Sequence, residues 1–212
     1  IFLAEEGVEP ARIDAVMKAF GFAMGPFAMF DLSGVDVFWH IQQARPGSMG
    51  ARTKIIDRLY EAKRFGQKSG VGFYRYEKGS RDPIADPEVV RLFAEEAVTH
   101  GIAPRDVGDA EIVTRLTHAL INSGANLLQD GIALRAGDID IVYIYGYGFP
   151  PHHGGPMWYA DELGVSQVVA TLRALTQRFG PHWEPSPLLV ALAESGAPLA
   201  SATPKTKEFA HA

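Results

Sequence analysis

The 212-residue chain contains no cysteine. That excludes a disulfide framework and any thiolate metal site, and it fits a reducing compartment. No apolar run approaches the ~20 residues that a membrane-spanning helix needs, so no membrane span is expected. Lysine and arginine form no dense cluster, and the net charge is −5, so nucleic acid is not an expected partner. There is no GxSxG nucleophile elbow, and Ser33, Ser48 and Ser123 sit in cap or helix contexts, which argues against a hydrolase. The opening IFLAEEG is too short and too acidic for a signal peptide. Strand signals are scarce, the best being VGFYRY at 71–76.

What is present is helical periodicity in a chain that is 47% hydrophobic, enough apolar material for one large core or two small ones. Ile13, Val16, Met17 and Phe20 share one helical face behind Pro10, which suits a first turn. Val35, Phe38 and Trp39 continue a second helix, for which Ser33 reads as the N-cap. Ile55, Ile56, Leu59 and Ala62 suggest a third. EKGSRDPIADPE (77–88) holds two Asp-Pro steps and reads as a loop or linker. Further helices are expected over 87–100 and, long and apolar, over about 109–129. The expected fold class is all-α, mainly helical.

The chain repeats itself. Residues 7–35 and 131–165 align, with three small insertions in the second copy, at Gly7/Gly131, Ile13/Ile139, Asp14/Asp140, Val16/Val142, Gly21/Gly148, Phe22/Phe149, Gly25/Gly155, Pro26/Pro156, Asp31/Asp161, Gly34/Gly164 and Val35/Val165. Ile-Asp, Gly-Phe, Gly-Pro and Asp-x-x-Gly-Val in one order twice indicate duplication. The expected organisation is a first helical repeat at 1–76, a linker with one helix at 77–107, and a second repeat with a C-terminal tail at 108–212. A long helix precedes Gly131, whereas six residues precede Gly7. On this reading about 14 to 16 residues of the first copy's helix are missing, and the chain begins inside a helix.

The richest stretch is YGYGFPPHHGGP (145–156). Its glycines have counterparts in GFAMGP (21–26), which holds no histidine, so the shared part reads as a turn that serves packing. Gly146-Tyr147-Gly148 and Gly70-Val71-Gly72 are lone GxG pairs, and neither completes a GxGxxG dinucleotide fingerprint. His152 and His153 are adjacent and lack a third ligand at metal spacing, so no metal is expected. Asp14/Asp140 and Asp31/Asp161 recur, which favours caps or buried hydrogen bonds over catalysis, and Asp31 and Asp161 read as lying near helix starts. Tyr143, Tyr145, Tyr147, Phe149, Trp158 and Tyr159 are either core packing or one wall of an apolar pocket. Tyr145 has Lys18 or a gap opposite it in the first copy, which leaves it freer for function.

GFAMGPFAMFDLSGVD (21–36), KRFGQKSGVGFYRY (63–76) and YGYGFPPHHGGPMWYAD (145–161), with GPHWEPSPLL (180–189) as a weaker fourth stretch, closely resemble the C-terminal part of 3-hydroxyacyl-CoA dehydrogenases. The likeness covers nearly the whole chain. The tandem copy favours the multifunctional fatty-acid β-oxidation type, in which an enoyl-CoA hydratase domain and an NAD-binding domain precede two helical copies. The resemblance implies that the copies pack together as a pseudo-dimer.

It also implies a parent that oxidises (3S)-3-hydroxyacyl-CoA to 3-oxoacyl-CoA with NAD. Its expected partners are the acyl-CoA substrate and the parent's NAD-binding and hydratase domains, with a thiolase partner left open. The family's catalytic His, Glu and Ser belong to the NAD domain. Its Asn belongs to a Val-Asn-Arg step that the second copy replaces with Val113-Thr114-Arg115. No catalytic, NAD-binding or metal-binding residue is therefore carried over, and the chain alone is expected to be inactive. One position is carried over: Tyr145 matches the tyrosine of the YGxGFPP motif associated with substrate binding. Gly146, Gly148, Pro150, Gly155 and Pro156 would shape its supporting turn, with bulky Tyr147 a departure between the glycines. EFAHA at the C-terminus is not a peroxisomal tripeptide, and a bacterial cytoplasm is the expected location. The alternative is a non-catalytic helical module for assembly or acyl-CoA binding; a dinucleotide-binding unit and a hydratase-like region upstream would support the dehydrogenase reading over it.

Overall fold

Proline opens many of the helices. With no N–H to satisfy and φ already near the helical value, it suits the first helical position. A computed structural model describes residues 1–45 and 54–202; Ser48 and the C-terminal EFAHA lie outside the described residues. The described residues form eleven α-helices and one two-stranded antiparallel sheet, so the protein is mainly α. The chain separates into two units, one of residues 1–20 and 24–112, the other of residues 21–23 and 113–212.

In the first unit, α1 (Phe2–Glu5) leads to α2 (Pro10–Phe20), α3 (Pro26–Ser33), α4 (Val35–Ala44) and α5 (Lys54–Glu61). Strand β1 (Tyr74–Arg75) pairs with β2 (Ile84–Ala85), and α6 (Pro87–Thr99) follows. The linker stretch therefore contains a strand as well as a turn. Asp86 ends it by accepting the Glu88 N–H as the N-cap of α6. The core is aromatic at its centre: Phe27 meets Phe73 edge-on at 4.9 Å and Phe93 at 5.9 Å. Ile55, Ile56 and Leu59 of α5 are buried on one side of their helix, as the periodicity requires.

The second unit takes up α7 (Asp109–Gln129) from Val113 onward, then α8 (Ala136–Tyr147), α9 (Pro156–Leu163), α10 (Val165–Phe179) and α11 (Pro187–Ser195), and its last described element is a 3₁₀ turn at Leu199–Ser201. Its core gathers Ile121, Leu128, Ile139, Met157, Val168 and Leu172. At Gly124 an added Cβ would lie 2.4 Å from the Met157 methyl, so glycine is what lets that side chain lie against α7.

The element order of α1–α5 repeats in α7–α11. Ser33 is not a cap: it is the last residue of α3, and Gly34, at φ 99°, stands between α3 and α4. Gly164 stands likewise between α9 and α10 at φ 85°. A left-handed φ is open to glycine at little cost, which explains why Gly-Val recurs at this corner.

Candidate functional site: the glycine–proline turns and their carboxylates

Each copy builds its turn around a carboxylate. The residues before α3 and α9 are Gly25 and Gly155, which have no side chain to cap a helix, and the first helical residue is a proline. The next two N–H groups need an acceptor from elsewhere. Asp14 on α2 supplies it in the first copy, accepting from Phe27 N at 2.9 Å and Ala28 N at 2.8 Å. Asp140 on α8 does the same in the second, accepting from Met157 N at 2.7 Å and Trp158 N at 3.2 Å. An added Cβ would fall 2.2 Å from Asp14 Cγ at Gly25 and 2.4 Å from Asp140 at Gly155, so glycine is required by the closeness of the carboxylate.

The second recurring pair plays another part. Asp31 and Asp161 lie toward the ends of α3 and α9, not near helix starts as their sequence context suggests. Each pins the segment that closes its copy. Asp31 accepts from Phe73 N and Tyr74 N at 2.8 and 2.9 Å, and Asp161 from Leu199 N and Ala200 N at 2.6 and 3.0 Å. The duplication is thus written in hydrogen bonds as well as letters, and it sets Ala200 where the first copy has Tyr74.

The copies differ in what surrounds these acids. Tyr74 donates its hydroxyl to Asp14 at 2.8 Å, and Tyr76 donates to Asp31 at 2.9 Å. Burial raises the pKa of Asp14, opposed by the Phe27, Tyr74 and Ala28 donors and by the charge of Lys18. Burial likewise raises Asp31, opposed by Phe73, Tyr74, Tyr76 and Arg64. Burial pushes Asp140 up to about 6 against only the Met157 and Trp158 donors, with the negative charge of Asp161 adding to the rise. Both tyrosine hydroxyls are pushed well upward, first by burial and then by the carboxylates they face.

Within the second unit, Gly148 ends α8 at φ 67°, and its N–H and that of Phe149 both reach the Tyr143 carbonyl. This left-handed closure turns the chain into Phe149, fully buried and edge-on to Phe22 at 5.1 Å. Ala23 N donates to Gly148 O at 3.0 Å, and an added Cβ on Gly148 would lie 2.6 Å from the Ala23 methyl. Pro150 is buried and leads into a 3₁₀ turn at Pro151–His153. His153 packs on Tyr159 at 4.8 Å and faces Glu162 at 3.7 Å. Among the described residues no group of three His, Cys, Asp or Glu side chains could hold a metal ion.

Tyr145 projects from the last turn of α8 with 85% of its surface exposed, on the same side as exposed Ile141 and Val142. Gly146 beside it faces open space. The aromatic group read from the sequence therefore divides: Phe149 is core, Tyr143 packs on Tyr147 at 5.2 Å, and Tyr145 and Trp158 face outward. The glycine pairs do not fit a dinucleotide phosphate. Gly146-Tyr147-Gly148 lies on the end of a helix, and an added Cβ on Gly72 would meet the Asp31 carboxylate at 2.1 Å, an anion where a phosphate would have to come.

Polar residues that sequence reasoning passed over hold the fourth family-like stretch. Asn122 on α7 accepts from Ser186 N at 2.7 Å and donates to Glu184 O at 2.8 Å; Gln129, two turns on, accepts from Leu188 N at 2.9 Å. The signal was available: Asn122 is a polar residue on the buried stripe of an apolar helix. Of the Val-Thr-Arg step, Arg115 is buried with its guanidinium 4.2 Å from the Phe179 ring centre, and the Thr114 carbonyl lies 2.8 Å from His118 Nδ1. Burial lowers the His118 pKa, against that contact.

A family model described as the C-terminal domain of 3-hydroxyacyl-CoA dehydrogenase matches residues 1–76 and 112–204, and each stretch holds one copy of the repeat. The chain is 40% identical over 93% of its length to a peroxisomal bifunctional enzyme of Danio rerio. It is 36% identical over 92% of its length to a fatty acid oxidation complex subunit alpha of Pseudomonas savastanoi. It spans 30% and 27% of those two relatives. The dehydrogenase part of a multifunctional enzyme from C. elegans shares the fold at a TM-score of 0.67 and 24% identity, covering 87% of this chain and 42% of that one. A 3-hydroxybutyryl-CoA dehydrogenase from Escherichia coli shares it at 0.66 and 19%, covering 89% and 55%.

Proposed function

The chain belongs to the 3-hydroxyacyl-CoA dehydrogenase C-terminal domain family, and from that premise we propose that it forms the helical part of an NAD-dependent 3-hydroxyacyl-CoA dehydrogenase of fatty-acid β-oxidation. The whole enzyme would oxidise (3S)-3-hydroxyacyl-CoA to 3-oxoacyl-CoA and carry an enoyl-CoA hydratase activity on the same polypeptide. The observation that carries this reading is the match of both repeat copies to one family, in a chain similar across 93% of its length to a bifunctional enzyme. A partner subunit, of thiolase type by the resemblance, belongs to the same proposal, as does a bacterial cytoplasmic location.

The helical part would supply binding and orientation, while hydride transfer uses a cofactor held elsewhere. Tyr145 is the residue proposed to meet the acyl-CoA, with Gly146, Gly148, Pro150, Gly155 and Pro156 fixing the turn behind it. Its exposure at the end of α8 and its occurrence in one copy alone support that role. Exposed Ile141 and Val142 beside it also suit the second reading, an assembly surface.

The test has two parts. The 212-residue chain mixed with NAD and a 3-hydroxyacyl-CoA is expected to form no NADH; sustained turnover would overturn the division of labour. Titration with the acyl-CoA is expected to shift the amide resonances of Tyr145 and Gly146 in nitrogen-15 spectra. Shifts confined to other residues would remove Tyr145 from the substrate surface.

A further inference from the structure

We propose that the Asp140 carboxylate is a proton-sensitive clamp between α8 and α9, a device that the first copy carries in a locked form. The clamp rests on geometry that the two copies share and on donors that they do not. In both copies one carboxylate bridges two helices by serving the N–H groups of the second and third residues of the helix behind the glycine–proline corner. In the first copy the Tyr74 hydroxyl adds a side-chain donor to Asp14, and Lys18 adds a favourable charge. In the second copy Ala200 stands in the place of Tyr74, and Asp140 has two backbone donors and, among the described residues, no side-chain donor.

Among the described residues, no cation acts on Asp140 from the elements packed around it. Helix α9 carries Asp161 and Glu162 with Tyr159, and α8 itself carries Asp138, Tyr143, Tyr145 and Tyr147; the 3₁₀ turn at Pro151–His153 carries His152 and His153, α10 carries Arg173 and Arg178, and the 3₁₀ turn at Leu199–Ser201 carries no titratable side chain. Of these, Asp161 acts on Asp140, and its negative charge favours protonation. The result is a carboxyl whose pKa burial pushes up to about 6, with fewer donors opposing the rise than Asp14 has from Phe27, Ala28 and Tyr74.

Protonation has a specific structural consequence. An ionised carboxylate offers two acceptor oxygens, one to each N–H. A carboxylic acid keeps one good acceptor, and its other oxygen now carries a proton. Met157 N lies at 2.7 Å and Trp158 N at 3.2 Å, so the longer bond is the one released. Global stability moves the other way, because protonation removes a buried charge. Local release at Trp158 without global loss is the signature of this device. It needs nothing from the role of Tyr145.

The experiment is a pH titration of the 212-residue chain followed by amide shifts in nitrogen-15 spectra. Trp158 is expected to move with a midpoint near 6, and Ala28 at distinctly lower pH. In Asp140→Asn the Trp158 transition should vanish. In Tyr74→Phe the Ala28 transition should move up toward that of Trp158, a result that does not depend on the Asn variant folding. A Trp158 amide that is flat across pH 5 to 7.5, or that titrates together with Ala28 in the unaltered chain, would overturn the proposal.

Discussion

The hydroxyl of Tyr74 reaches Asp14 at 2.8 Å across 60 positions of sequence, and the first copy of the duplicated fold is closed by that contact. The carboxylate already holds the start of α3, so one side chain joins α2, α3 and β1. Tyr76 repeats the arrangement on Asp31, two residues on and so on the same face of the extended segment.

Removing the Tyr74 hydroxyl should therefore cost stability without creating a cavity. Tyr74→Phe leaves the buried ring and takes away one donor to an ionised acceptor. A loss of about 1.5–3 kcal/mol is expected at neutral pH. Urea unfolding of the variant beside the parent chain measures it, and the gap should narrow in acid as Asp14 protonates. An unchanged midpoint would mean that water replaces the hydroxyl.

The glycine behind each turn can be tested by separating strain from crowding. Gly164 has φ 85° and open space around an added Cβ, whereas Gly155 has φ 95° and the Asp140 side chain 2.4 Å away. Gly164→Ala should cost about 1–2 kcal/mol, the ordinary penalty of a left-handed residue. Gly155→Ala should cost at least about 3 kcal/mol, because crowding against Asp140 is added to the strain. Equal losses in thermal unfolding would show that the carboxylate moves aside freely.

How much of this the letters disclosed depended on the distance between partners. The bounds of α7, Asp109–Gln129, were legible because a long helix with one apolar stripe is a local property. The recurrence of Asp14/Asp140 and Asp31/Asp161 marked them as structural. Which N–H groups they serve was not legible, since the donors lie 13 to 43 positions away. Ser33 has the chemistry of a cap and is none, because the recurrent Gly-Val corner needs a left-handed residue there. The aromatic run at 143–159 could not be sorted by composition. The left-handed closure at Gly148 turns Phe149 inward, while Tyr145, still on the helix, remains outside.

Asn122 offers a third measurement. Its two bonds to Glu184 O and Ser186 N tie the loop before α11 to α7. Asn122→Ala leaves a buried N–H and a carbonyl without that partner, at a cost of about 2–3 kcal/mol. Asn122→Asp keeps the acceptor for Ser186 but sets a buried carboxylate oxygen against the Glu184 carbonyl, so it should lose at least as much as the alanine variant. Amide exchange at Ser186 distinguishes local release from global loss: in the alanine variant it should quicken more than exchange in the α10 core. Uniform quickening would place the whole effect on global stability.

The pH dependence of stability follows from Asp140 with a definite sign. Its folded pKa, about 6, lies above its unfolded value of 3.8. Between those values the folded chain binds more protons than the unfolded one, so this contribution is fully present below pH 3.8 and is lost as pH rises through about 6. Asp140 is buried, with 8% of its surface exposed, and a shift of this size corresponds to about 1–3 kcal/mol. Asp140→Asn carries no charge at any pH and should remove that fall. Above pH 7 it should unfold at a denaturant concentration equal to or higher than the parent's, although it lacks an ionised acceptor for the α9 N–H groups. Two quantities compete here, the charge-assisted cap, worth about 1 kcal/mol, and the cost of burying the charge. A variant clearly weaker than the parent at pH 8 would show that the cap outweighs the burial, and the pKa of Asp140 would then have to lie below its ordinary value.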